Sequence, residues 1–103
     1  MQLINIPHNR GIRLVRAEQI IRVEGLSNYS KIFFTTGQPM TVAKVLHWFE
    51  DHLPSQMFAR VHRSHLVNKM FMQEINGLNY SNLLLTNGES IAMSRRKKTL
   101  LMA

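Results

Sequence analysis

The sequence predicts a mostly β domain with one short internal helix and a short C-terminal helix. Short β-branched runs separated by polar or Gly- and Pro-bearing turns recur along the chain. Only one internal stretch, Ala43 to Leu53, repeats apolar residues at helical spacing, and an Asn-Gly pair, Asn87-Gly88, sits between two apolar runs where a hairpin turn belongs. With 103 residues, one domain spanning 1–103 is expected, because the chain is too short for two independent cores.

Leu3, Ile4 and Ile6 end at Pro7, His8-Asn9-Arg10-Gly11 is turn material, and Ile12, Leu14 and Val15 resume, which predicts a hairpin. Ile20 to Glu24 and Lys31 to Thr36 read as two strands around the polar loop Gly25 to Ser30. Thr36-Gly37-Gln38-Pro39 marks a turn before a short extended piece, Met40 to Val42. The helix follows, with Val42, Leu46, Phe49 and Leu53 as its buried stripe and Pro54 closing it, since proline cannot donate the next backbone hydrogen bond. From Met57 to Ile75, apolar residues are dispersed among basic and polar ones and no single period dominates. Leu83 to Thr86 and Glu89 to Ala92 flank Asn87-Gly88 as a hairpin with a tight type I′ turn. Ser94 can cap a terminal helix from Arg95 to Leu101. That helix would open on Arg95-Arg96-Lys97-Lys98, and cations there oppose the helix dipole, so a role outside folding is expected for them.

The absence of cysteine excludes a disulfide scaffold, a thiolate zinc site, an iron–sulfur cluster and a cysteine nucleophile. No apolar run approaches the roughly 18 residues of a spanning helix, and the N-terminus carries no secretory pattern, so a cytoplasmic location is expected. The adjacent acids Glu50-Asp51 point about 100° apart on a helix and do not form a facing acid–base pair. His62 and His65 are three apart and His47 and His52 five apart, unlike the four-residue spacing of helical zinc sites. No enzymatic activity, cofactor or metal is expected.

Thirteen Lys and Arg stand against six Asp and Glu, a net charge of +7, which points to a polyanionic partner. The cations gather with hydrogen-bonding side chains in three polar segments: Asn28 to Lys31, Arg60 to Lys69 and Arg95 to Lys98. Arginine reads guanine through two parallel donors and asparagine reads adenine, whereas lysine and serine suit phosphate oxygens. Two loop tyrosines, Tyr29 and Tyr80, are a thin supply of stacking rings for a single-strand binder, so duplex DNA is favoured. A basic protein-interaction or membrane-surface domain is the competing reading, but the internal helix carries only Lys44 among its cations.

The segments Ile21-Arg22-Val23-Glu24 with Ser27-Asn28-Tyr29-Ser30, Phe58-Ala59-Arg60-Val61-His62-Arg63-Ser64-His65-Leu66-Val67-Asn68, Leu83 to Gly88, and Met93-Ser94-Arg95-Arg96-Lys97-Lys98, in this order, resemble the LytTR (LytR/AgrA-type) DNA-binding domain. The F-x-R-x-H-R-S-x-x-V-N run is its most specific part. The resemblance implies an elongated, sandwich-like antiparallel β fold and sequence-specific binding of promoter DNA in a bacterial response regulator, with loops around 28–31, 62–64 and 94–97 entering the grooves. It further implies a receiver domain upstream in a longer chain, and homodimers on direct-repeat half-sites. Carried over by position, base reading falls to Arg63 and Arg95, with Asn28 and Ser30 as weaker candidates. Phosphate contacts fall to Tyr29, Lys31, Ser64, Lys69, Arg96 and Lys97. Arg60 and His62 are expected to be structural, and Asn68 is balanced between a backbone cap and a DNA contact.

Overall fold

The computed structural model describes residues 3–94. Strands β1 (Leu3–His8) and β2 (Gly11–Arg16) form the expected N-terminal hairpin, and a turn of 3-10 helix, Ala17–Gln19, leads into β3 (Ile20–Leu26) and β4 (Tyr29–Phe34). After β5 (Met40–Val42) comes α1 (Leu46–His52), then β6 (Phe58–His62) and β7 (His65–Asn68). A meander of β8 (Met72–Asn76), β9 (Asn82–Leu85) and β10 (Ser90–Ala92) completes the described chain. All pairings are antiparallel, in three sheets: β1-β2, the central β5-β4-β3-β7-β6, and β10-β9-β8. The body is elongated, 43 × 26 × 23 Å.

The central sheet has a core on each face. On one face Ile4 and Ile6 of β1, Val23, Ile32 and Leu66 of the sheet, and Leu46, Phe49 and Leu53 of the helical segment pack together. On the other, Ile21, Val61 and Val67 meet Leu83, Leu85, Ile91 and Met93. Consecutive strand residues point to opposite faces, so Leu66 and Val67, side by side in β7, serve different cores. Register shifts at Ile20/Arg22 and Arg60/His62 mark β-bulges that send Ile21 and Val61 to the second core.

Three expectations are corrected. The helix begins at Leu46 rather than Ala43, because Val45 is still extended (φ −73°, ψ 162°) and the Lys44 amide bonds back to Val42 at 2.8 Å. The loop expected over Gly25 to Ser30 shrinks to Ser27-Asn28, as Leu26 and Tyr29 already pair. At Asn87-Gly88 only the glycine has positive φ (91°), and the Leu85 amide bonds to the Glu89 carbonyl while the Gly88 amide bonds to that of Leu85. That is a turn with a glycine bulge, not the type I′ turn, which needs positive φ at both central residues. The C-terminal helix expected from Arg95 lies outside the described residues.

Candidate nucleic-acid interface

Two reversals of the central sheet leave from the same edge. Ser27-Asn28 joins β3 to β4, with Ser27 at φ 60°, and Arg63-Ser64 joins β6 to β7 between the paired residues His62 and His65. Because β3 pairs with β7 through Glu24 and His65, the turns lie beside one another, and the Gly25 amide bonds to the Ser64 carbonyl at 2.9 Å. Gly25 lets the helix approach closely there, since a Cβ would sit 3.1 Å from that of Leu46, tighter than an ordinary contact. Asn28 and Arg63 are exposed at the two tips.

The Arg63 turn is held from behind by Arg60. Its guanidinium donates to the carbonyls of His62 and Arg63, while Nη1 meets Glu50 Oε1 of α1 at 2.8 Å. Charge-assisted hydrogen bonds are the stronger kind, and the Glu50 partner compensates the half-buried cation. Ser64 donates its amide to His62 Nδ1 at 3.1 Å, so that nitrogen is an acceptor and the His62 ring helps fix the turn. Nothing in local spacing links Glu50 to Arg60, so the clamp is not visible in the sequence. His65 stands behind the same turn, opposite Glu24 and 5.2 Å from the His62 ring. Burial lowers its pKa, Glu24 opposes this, and His62 and Arg22 add to it.

The remaining expected residues divide. Tyr29 is exposed beside Asn28, and Lys31, half-buried, lies opposite Glu24, its cross-strand partner. Ser30 is a correction: it is fully buried and its hydroxyl donates to the Lys44 carbonyl at 2.7 Å, fastening β4 to the chain after β5 instead of facing a base. Lys69 is another, since it follows β7 at the far end, where its amide bonds to Met57, about 16 Å from Ser64 at the rise of a strand. Asn68 is buried, donates to the Ile20 carbonyl and accepts from the Met70 amide, which makes it a backbone cap. Arg95, Arg96 and Lys97 lie outside the described residues. Ser94, the last described residue, donates its amide to the Val61 carbonyl at 2.8 Å, two residues from Arg63. Among the described residues no group of three or more His, Asp or Glu could hold a metal ion, and no helix is long and apolar enough to cross a membrane.

The family model of the LytTr DNA-binding domain matches residues 10–103. No curated protein matches the chain. Among solved structures, a LytTr DNA-binding domain from Bacillus cereus superposes with a TM-score of 0.78 at 22% identity, covering 98% of this chain and 94% of that one. At this identity the likeness shows the fold alone. With its family model matched over all but the first nine residues, the chain belongs to the LytTR family of DNA-binding domains of transcription regulation.

Proposed function

We propose that this domain binds double-stranded promoter DNA sequence-specifically, as the effector module of a bacterial response regulator, and that turns rather than a recognition helix read the bases. The observation that carries this reading is the convergence of the Asn28 and Arg63 tips on one edge, with the chain entering the Arg95–Lys97 run from a point bonded to Val61. The helix is a poor candidate for groove reading. It has seven residues, buries Leu46 and Phe49, commits Glu50 to Arg60, and leaves Asp51 exposed, where phosphates would be repelled.

In this reading Arg63 and Arg95 contact base edges and Asn28 supplements them, while Tyr29, Lys31, Ser64, Arg96 and Lys97 contact phosphates. The charge excess supplies the salt-dependent part of affinity by counterion release. Homodimers on direct-repeat half-sites, with an upstream receiver domain controlling them, complete the proposal. The test is fluorescence-anisotropy titration against random duplexes, with sequencing of the bound fraction. An enriched motif lost in Arg63→Ala supports the reading, and flat, salt-sensitive binding with no enrichment refutes it.

A further inference from the structure

On the β5 side of the same edge lies a feature that the three turn segments do not use. An open cleft of about 560 Å³ runs between the β1–β2 turn and the β4–β5 pair, lined by Asn9, Arg10, Tyr29, Thr41 and Lys44 among others, with no acidic side chain in its wall. Its two cations come from separate parts of the chain. Lys44 is pinned through its backbone, the amide to Val42 and the carbonyl to the Ser30 hydroxyl. Arg10 stands at the tip of the β1–β2 hairpin, where Asn9 and Arg10 both have positive φ (49° and 65°). Such a turn favours Asn then Gly, and an arginine in the left-handed region costs about 1 kcal/mol that folding gives no reason to bear. A local rule broken without a folding benefit is the mark of a functional position.

The cleft continues the row of tips. Strands of the central sheet follow one another in the order β6, β7, β3, β4, β5, at roughly 4.8 Å spacing, so the edge from the Arg63 turn to the end of β5 spans about 19 Å. Asn28 and Tyr29 lie between, Lys44 follows β5, and the cleft joins Tyr29 and Lys44 to Arg10 of the β1–β2 turn. A duplex lying along this edge presents a phosphate charge about every 1.7 Å of its axis, and its backbone passes in front of the cleft.

We propose that this cleft is a DNA-backbone phosphate site, with Arg10 and Lys44 as its cations beside Tyr29, extending the footprint past the turn segments onto flanking base pairs. The proposal rests on the duplex-binding function above. The experiment measures binding of the whole chain to its selected duplex across a salt series, for the parent, Arg10→Gln, Lys44→Gln and the double variant. Each lost phosphate contact should lower the slope of log affinity against log salt by about 0.9, hence about 1.8 for the double variant. Preference for the selected over a scrambled duplex should stay unchanged. Arg10→Lys and Lys44→Arg should restore the slope, and Arg16→Gln, at the other end of the hairpin, should leave it at the parent value. Shortening the duplex on the flank beside β5 should erase the difference between parent and double variant. A parent that binds duplex while the folded double variant keeps its full slope overturns this site alone. A parent that binds no duplex overturns the DNA-binding proposal and this site with it.

Discussion

Glu89→Gln tests the joint between the two halves of the molecule. Arg22 of β3 is buried to 7% exposure, its guanidinium lies 3.8 Å from the centre of the Phe33 ring, and it donates to both Glu89 carboxylate oxygens at 3.0 and 2.8 Å across the gap between the central sheet and the meander. Leaving a fully buried cation without its partner costs about 3–5 kcal/mol. Two features reduce that figure here: the Glu89 side chain is 36% exposed, and Glu24 remains 3.4 Å from Arg22. A loss of about 2 kcal/mol is expected, equivalent to about 10 °C in Tm for a domain of this size. Urea unfolding at neutral pH followed by circular dichroism reads it directly. The Arg22 guanidinium, with Asn87, holds the Glu89 carboxyl below its ordinary range. The pair therefore contributes fully above the unfolded glutamate pKa and its contribution is lost as pH falls through the lower, folded value. The gap between parent and variant should be full near pH 7 and close in acid, below the ordinary glutamate range. Parent and variant within about 0.5 kcal/mol at pH 7, or a gap that persists in acid, would show that Arg22 and Glu89 do not hold the sheets together as described.

Arg63→Ala should cost about 1–3 kcal/mol on the selected duplex and relax selectivity at one base position, read by competition against single-base variants. Arg60→Gln should weaken specific binding while Arg63 is still present, because the turn loses its clamp; an unchanged affinity with a folded protein would refute the clamp. Lys97→Gln should weaken all sequences alike and lower the salt slope by about one unit. His65, whose pKa burial lowers, is neutral in the fold, so the unfolded chain takes up its proton first. Its contribution is complete above the ordinary histidine value near 6.5 and is lost as pH falls through the folded value. Thermal unfolding from about pH 7 to 5 should show that decline, and His65→Phe should flatten it.

Much of the fold is legible because turn chemistry and period act locally. His8 to Gly11 and the Asn87-Gly88 pair mark real hairpins, and Leu46, Phe49 and Leu53 are buried as their spacing requires. The stretch from Met57 to Ile75 resists for a physical reason. β7 is buried on both faces and the bulge at Val61 breaks the alternation of β6, so period two, the signal of a half-buried strand, is erased there. The tips of the interface are legible as polar residues between apolar runs, but polarity alone does not reveal exposure. Ser30 and Asn68 are polar and buried, each answering a backbone group distant in sequence, Lys44 and Ile20. Lys69 belongs to the same basic cluster as Arg63, yet one strand length carries it to the opposite end.

The central sheet separates two cores, and this gives the domain a line along which it can come apart in stages. The meander is held by the second core and the Arg22–Glu89 tie, so it can open while Ile4, Val23 and Phe49 remain packed on the other side, and losing the tie makes that opening easier. Partial opening of this kind would have its own free energy, below that of global unfolding. The Ser94 amide hangs on Val61, a residue of that second core, so opening the meander also unhooks Ser94 from the strand that leads into the Arg63 turn. Amide exchange at Ser94 should then follow exchange in β9 and β10 rather than in β3, so that the hold on the chain at this point is set by the stability of the meander and not by that of the central sheet.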